Sequence, residues 1–343
     1  MWRRLALLLL ASLALFTAAC SDKQNDPQPA PAPESAQVQL DHVAARNIVQ
    51  IVQANPVFSA LEAAVLKTDL AGALSGPGPL TVLAPTDFAF AQLPAPFHSA
   101  RSINAITDPE QIAALRGILL YHAVAGAVRA ADFPAGASTA TTLRPATPGV
   151  NDNTVYVSKD GRCITLNGNA DVLRADVTAT NGVIHVIGKV LLPPSSTVAG
   201  LVTQAAADNP AQFTLLLKAL QRPAAAALLT ATADAGANLT VFAPTDAAFR
   251  NLLQQLHLTS LDQVPDATLV AVLRLHVLGS RVFSSDLRDG QTAAALGGPL
   301  RVRVFGPFVA VRGAGNTAPA TVRKPNLLAT NGVVHVIDRV LLP

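Results

Sequence analysis

Leu80-Thr81-Val82-Leu83-Ala84-Pro85-Thr86-Asp87-Phe88-Ala89-Phe90 returns, little changed, as Leu239-Thr240-Val241-Phe242-Ala243-Pro244-Thr245-Asp246-Ala247-Ala248-Phe249. Each stretch reads as a short apolar strand, stopped by a proline and followed by a helix start. Thr86 or Asp87, and Thr245 or Asp246, fits the N-cap of that helix, accepting bonds from its free N–H groups. Asp87 and Asp246 also lie at the positive end of the helix dipole. Both aspartates thus have a structural reading. A catalytic carboxylate would need a partner, and the sequence offers none.

Working outward, a second block repeats. Ala179-Thr180-Asn181-Gly182-Val183-Ile184-His185-Val186-Ile187 is answered by Ala329-Thr330-Asn331-Gly332-Val333-Val334-His335-Val336-Ile337. Asn181-Gly182 and Asn331-Gly332 read as tight turns that launch a last strand. On that strand His185 and His335 fall on an apolar face, where a neutral histidine bonded at both nitrogens is the economical reading. Between the blocks, Leu119-Leu120-Tyr121-His122 answers Leu273-Arg274-Leu275-His276, and each copy ends on Val-Leu-Leu-Pro. A repeat of about 150 residues is a domain, not a solenoid unit.

Local patterns give an α+β unit. Apolar residues at helical spacing precede the first block, and residues 112–122 and 269–276 read as a further helix in each copy. Strand patterns follow: Val155-Tyr156-Val157 and Cys163-Ile164-Thr165-Leu166 about Asp160-Gly161, and Leu300-Arg301-Val302-Arg303-Val304 before Gly306-Pro307. Cys163 reads as a buried small hydrophobe in a strand.

These blocks, in order and twice, resemble the fasciclin domain. The resemblance implies two tandem domains, residues 41–193 and 197–343, each a wedge-like β-sandwich with packed helices. It marks Tyr121-His122 as the pair implicated in adhesion in some animal members, beside which core packing at the helix end is the plain structural reading. His276 keeps that position in copy two, but Leu275 replaces the tyrosine. Asp176 fits the family pattern, whereas copy two has Pro325-Asn326. The copies have diverged, so their surfaces need not bind alike.

The N-terminus reads as targeting sequence. Arg3 and Arg4, an apolar run over residues 5–16, and small Thr17, Ala18 and Ala19 before Cys20 follow the order of a secretory signal. Small residues before a cysteine resemble a bacterial lipoprotein site, with residues 1–19 removed and Cys20 carrying lipid. An ordinary cut after Ala19 would give the same mature end without lipid. Residues 20–40, with Pro27, Pro29, Pro31 and Pro33, then form an extended tether. On this reading the membrane is reached through the lipid on Cys20.

Composition excludes more than it assigns. Charged residues are 14% of the chain, and the net charge of +3 loses two with Arg3 and Arg4. No basic cluster with an aromatic platform appears, which argues against nucleic acid. No histidine pair has metal-ligand spacing, and neither a nucleophile elbow nor a phosphate loop is present. The sequence therefore predicts no cofactor, no metal and no enzyme. It predicts an exported, non-catalytic adhesion or protein-interaction module whose partner is an envelope protein or glycan. Binding of an apolar small molecule or a polysaccharide is the alternative.

Overall fold

The computed structural model describes residues 46–208 and 212–343. In copy one the helices are α1 (Ile48–Gln53), α2 (Ser59–Lys67), α3 (Ala71–Ser75), α4 (Asp87–Phe90), α5 (Ala100–Asn104) and α6 (Pro109–Tyr121). The strands are β1 (Leu80–Pro85), β2 (Ala123–Ala125), β3 (Gly136–Thr141), β4 (Thr154–Asp160), β5 (Cys163–Leu166), β6 (Ala170–Ala179) and β7 (Gly182–Ile187). Copy two repeats the plan with α7 (Val198–Ala207), α8 (Thr214–Leu220), α9 (Ala226–Ala233), α10 (Asp246–Gln255) and α11 (Asp266–Leu275). Its strands are β8 (Leu239–Pro244), β9 (Val277–Leu278), β10 (Thr292–Ala295), β11 (Gly298–Phe305), β12 (Phe308–Arg312), β13 (Ala320–Ala329) and β14 (Gly332–Ile337).

The α+β expectation holds, with one refinement: each copy is one curling sheet. Copy two closes into a barrel of order β10-β11-β12-β13-β14-β8-β9, its last gap bridged by Ala295 and Leu278. In copy one the order is β2-β1-β7-β6-β5-β4-β3, and a single bridge between Val124 and Thr142 brings the two edges together. The two quoted blocks are neighbours in space. β1 runs parallel to β7 and β8 parallel to β14, so the most repeated residues form adjacent strands in each sheet.

Each copy has two apolar cores. In copy one the first lies between the helices and the sheet and includes Phe58, Phe90, Leu115 and Ile184; the second fills the barrel and includes Leu83, Val155, Val157 and Ile187. Strand alternation produces this split, because β1 and β7 send successive side chains to opposite faces.

Three local expectations change. The hairpin between β6 and β7 turns on Thr180-Asn181, so Gly182 is already a strand residue. A Cβ on Gly182 would stand 1.9 Å from the Leu80 carbonyl oxygen, and one on Gly332 would stand 2.5 Å from that of Leu239. Glycine is there for close backbone approach, not for the turn. The helix after Asp87 lasts one turn because Pro94 follows, whereas α10 meets no proline and runs ten residues. Cys163 opens β5 half-buried rather than buried, and no free cysteine is found among the described residues. The expected signal, tether and lipidated Cys20 lie outside the described residues.

Candidate functional site

The repeated polar residues are fasteners. Thr86 and Thr245 are the N-caps, accepting from Ala89 N at 3.3 Å and Ala248 N at 3.2 Å. Asp87 caps a different helix. Its carboxylate accepts from Ser59 Oγ at 2.6 Å and Ala60 N at 2.8 Å, at the start of α2. Asp246 does the same for α8, through Thr214 Oγ1 at 2.7 Å and Leu215 N at 2.9 Å.

Asn181 ties the β6–β7 turn to two helices. Its Oδ1 accepts from Ile48 N at 2.9 Å, and its Nδ2 donates to the Leu74 and Gly76 carbonyls at 2.9 and 2.8 Å. Asn331 repeats this with Val198 N, Thr232 O and Asp234 O at 2.8, 3.0 and 2.7 Å.

The four repeated histidines are buried and bonded at both ring nitrogens. His185 accepts from Asp176 N at 3.3 Å on Nδ1 and donates from Nε2 to Val128 O at 2.9 Å. His335 matches it with Asn326 N at 3.2 Å and Val282 O at 2.9 Å. His122 donates from Nδ1 to Ile118 O at 2.7 Å and accepts from Leu191 N at 2.9 Å on Nε2. His276 does so with Val272 O and Leu341 N at 2.7 and 2.9 Å. These bonds assign the tautomers. Burial pushes His122, His276 and His335 down to about 4, the Ile118, Val272 and Val282 carbonyls pulling the other way. All three are neutral at pH 7.

The residues that the resemblance marks for interaction are buried. Tyr121 is fully buried, and His122 and His276 are 2% exposed. The Tyr121 hydroxyl donates to Thr154 O at 2.7 Å and accepts from Asn167 Nδ2 at 3.2 Å; burial raises its pKa, with the Asn167 bond acting against that. Both histidines instead clamp the Val-Leu-Leu-Pro end of each copy onto the preceding helix. No partner meets them while the fold is intact.

The residues that sequence reasoning missed lie where the copies touch. Asn326 is buried with a left-handed φ of 61°. Its Oδ1 accepts from Ser284 N at 2.8 Å, as Asp176 Oδ1 accepts from Ala130 N at 2.8 Å. Its amide nitrogen then donates into copy one, to Gly168 O at 2.7 Å and Asn169 Oδ1 at 3.2 Å, while Asn169 Nδ2 donates back to Asn326 O at 3.0 Å. The Asp-to-Asn divergence between the copies therefore has a use: only the amide has hydrogens to give. Beside it the Arg281 guanidinium lies 4.4 Å over the Tyr156 ring, and Phe283 meets that ring at 5.5 Å. Ser158 Oγ donates to Asp286 Oδ1 at 2.5 Å and accepts from Ser285 Oγ at 2.9 Å. Arg288 reaches Asp160 at 3.1 Å, but both are exposed, so that pair adds little. A Cβ on Gly168 would meet the Phe283 ring at 2.7 Å. The signal for this joint was the position-by-position difference between the copies.

Two open clefts flank the joint. One, of about 580 Å³, is lined by Ser158, Asp286, Arg288 and Gly306; the other, of about 520 Å³, by Leu191, Pro194, Phe213 and Leu327. By contrast, the enclosed apolar cavities of copy one hold about 20 and 10 Å³, water-sized at most. Among the described residues no group of three or more His, Cys, Asp or Glu could hold a metal ion, and no helix is long and apolar enough to cross a membrane.

Comparison with known proteins places this geometry. The family model of the fasciclin domain matches residues 56–193 and 211–343. Protein sll1483 of Synechocystis sp. is 42% identical over 150 residues, which is 44% of this chain and 75% of that protein. Transforming growth factor-beta-induced protein ig-h3 of Sus scrofa is 32% identical over 260 residues, or 76% of this chain and 33% of that one. Human periostin is 28% identical over 298 residues, 87% of this chain and 31% of its own. The chain thus spans about a third of these two animal relatives. A solved fasciclin domain pair, from the insect cell adhesion molecule Fasciclin I, aligns with 82% of this chain and 95% of its own at 19% identity and a TM-score of 0.37.

Proposed function

Because the chain belongs to the fasciclin-domain family, we propose that it is a non-catalytic adhesion or protein-interaction protein of the cell envelope. The observation that supports this best is the engagement of the repeated polar residues. Thr86, Asp87, Asn181, His185, His122 and their counterparts all bond within their own copy, where they hold helices and chain ends in place. Groups committed to bonds in the core have no free nucleophile or base to offer. Recognition is left to the outer faces of two jointed domains, a geometry suited to binding large partners.

The experiment is an adhesion assay on cells that lack the chain. Attachment to surfaces or to other cells should fall and be restored by the wild-type chain. Undiminished attachment, or turnover of a substrate by the purified protein, overturns the reading. The apolar-carrier alternative gains nothing from the water-sized cavities.

Export and anchoring form the finer part of the proposal. They rest on Arg3, Arg4, the apolar run and Thr17-Ala18-Ala19-Cys20. The Cys20 sulfur has one bond to give, to a diacylglyceryl carbon or to a thiol such as that of Cys163. Mass spectrometry of the N-terminal peptide should show the diacylglyceryl group. A Cys20–Cys163 disulfide would overturn the anchor while leaving export standing.

A further inference from the structure

A duplicated chain carries every face twice. In copy one the outer face of β4 and the β5–β6 turn is partly covered, because Tyr156, Ser158 and Gly168 sit against copy two. The counterpart in copy two is the outer face of β11, β12 and β13. Strand register fixes the correspondence: Val157 pairs with Leu166 as Val302 pairs with Val311, and Asp160 pairs with Cys163 as Phe305 pairs with Phe308. Position by position, Tyr156 becomes Arg301, Ser158 becomes Arg303, Asp160 becomes Phe305, Cys163 becomes Phe308 and Asn167 becomes Arg312. Likewise Val172 pairs with Ile187 as Val322 pairs with Ile337, so Leu173 becomes Arg323.

This second face is open. Arg301, Arg303, Arg312 and Arg323 are exposed, and so are Phe305 and Phe308, at 52% and 54%. Two carboxylates share its rim: Asp289 holds Arg303 at 3.2 Å and Asp338 holds Arg323 at 2.7 Å. Arg312 donates Nε to Asn316 O at 2.9 Å, and among the described residues neither it nor Arg301 has a carboxylate partner. The balance is positive on a chain otherwise sparing with charge. The two phenylalanine rings lie side by side at 5.8 Å.

From this juxtaposition we propose that the outer face of β11–β13 is the binding face for an acidic polysaccharide, a proposal that rests on the interaction-protein reading above. Guanidinium forks match carboxylates two bonds at a time. Aromatic faces at the end of the row suit the apolar face of a sugar ring. A bilayer fits less well. Gly306 and Pro307 line a cleft whose other wall includes Gly136 and Ala137 of copy one, so the neighbouring domain stands beside the hairpin tip and limits its approach to a flat surface. A second copy of this chain is not favoured by charge either. The segment of copy one equivalent to residues 281–288 carries one arginine and one aspartate, Arg129 and Asp132, so it brings no net negative charge to the arginines.

The test uses the full chain with three probes: alginate as polyuronate, dextran as neutral glucan, and phosphatidylglycerol vesicles. Alginate alone should bind, and binding should weaken as salt rises. The triple variant Arg301→Gln, Arg303→Gln, Arg312→Gln should bind at least about tenfold more weakly, and Phe305→Ala with Phe308→Ala should weaken binding by a similar factor. Both variants change exposed side chains, and an unchanged melting temperature shows that the fold is kept. Preference for vesicles or dextran, absence of alginate binding, or full binding by the triple variant overturns the proposal. If the wild-type chain restores attachment to cells that lack it while alginate binding is absent, this face is misassigned and the interaction reading stands; if it neither restores attachment nor binds alginate, both fall.

Discussion

His122 and His276 each donate to a helix carbonyl and accept from the chain end, so neither nitrogen is available for a proton at neutral pH. Together with His335 they titrate near 4 in the fold, against about 6.5 for histidine in an unfolded chain. Between those values the unfolded state binds the protons more readily, so stability falls as pH falls. The loss begins near pH 6.5 and is complete near pH 4, at an order of 3 kcal/mol for each histidine. Thermal melts of the full chain should be flat above about pH 7 and drop steeply below about 6.5. His276→Phe should cost about 1–3 kcal/mol at pH 7 by stranding Val272 O and Leu341 N, and should make the acid slope shallower. An unchanged slope in that variant would mean that His276 does not contribute to the acid transition.

At the scale of elements, the parallel pairs β1·β7 and β8·β14 are extended into the helical layer by one asparagine each. Asn331 satisfies the first N–H of α7 and the Thr232 carbonyl, both buried, and the carbonyl of the exposed Asp234 just beyond α9. Asn331→Ala strands three backbone groups and should destabilise copy two by about 1–3 kcal/mol, more if water cannot enter. Hydrogen exchange should show α7 opening before the barrel does; equal protection in variant and wild type would deny Asn331 that role. How much of this was legible beforehand varies with its range. The strands, helix starts and duplication were visible because proline stops, caps and periodicity act over a few residues. The partners of Asn181 and Asp87 were not, because they lie far along the chain, and Asn-Gly resembles a turn pair whether its glycine serves a turn or a close approach. The resemblance marks Tyr121-His122 for interaction, while its place at a helix end fits core packing equally well. Burial of Tyr121 against Thr154 and Asn167 depends on strand positions that no local pattern encodes.

For the whole molecule the question is what makes two domains one object, since a three-residue link limits their separation but does not choose an orientation. The exposed Arg288–Asp160 pair is too weakly coupled to choose it. The Tyr156–Arg281 stack adds roughly 0.5–2 kcal/mol. Asn326 is the better candidate, being 3% exposed and bonded across the joint through an amide that copy one lacks. Asn326→Asp restores the residue found in copy one and tests this with a change of one functional group. The carboxylate still accepts from Ser284 N, so copy two keeps its fold, as Asp176 keeps that of copy one. Toward copy one, however, an oxygen now faces the Gly168 carbonyl and the Asn169 side-chain oxygen. Two donations across the joint are lost, and only the Ser284 hydroxyl, 2.7 Å from the same atom, can turn to donate to the new oxygen, a net penalty of about 1–3 kcal/mol. Calorimetry should then show the coupled melting of the wild type separate into two transitions. Small-angle scattering should show a larger and more variable radius of gyration, with each domain's own circular dichroism unchanged. Adding Asn169→Ala should recover part of the loss by removing one repelling oxygen. If Asn326→Asp melts and scatters like the wild type, the joint is held elsewhere, and the divergence of this position between the copies needs another cause.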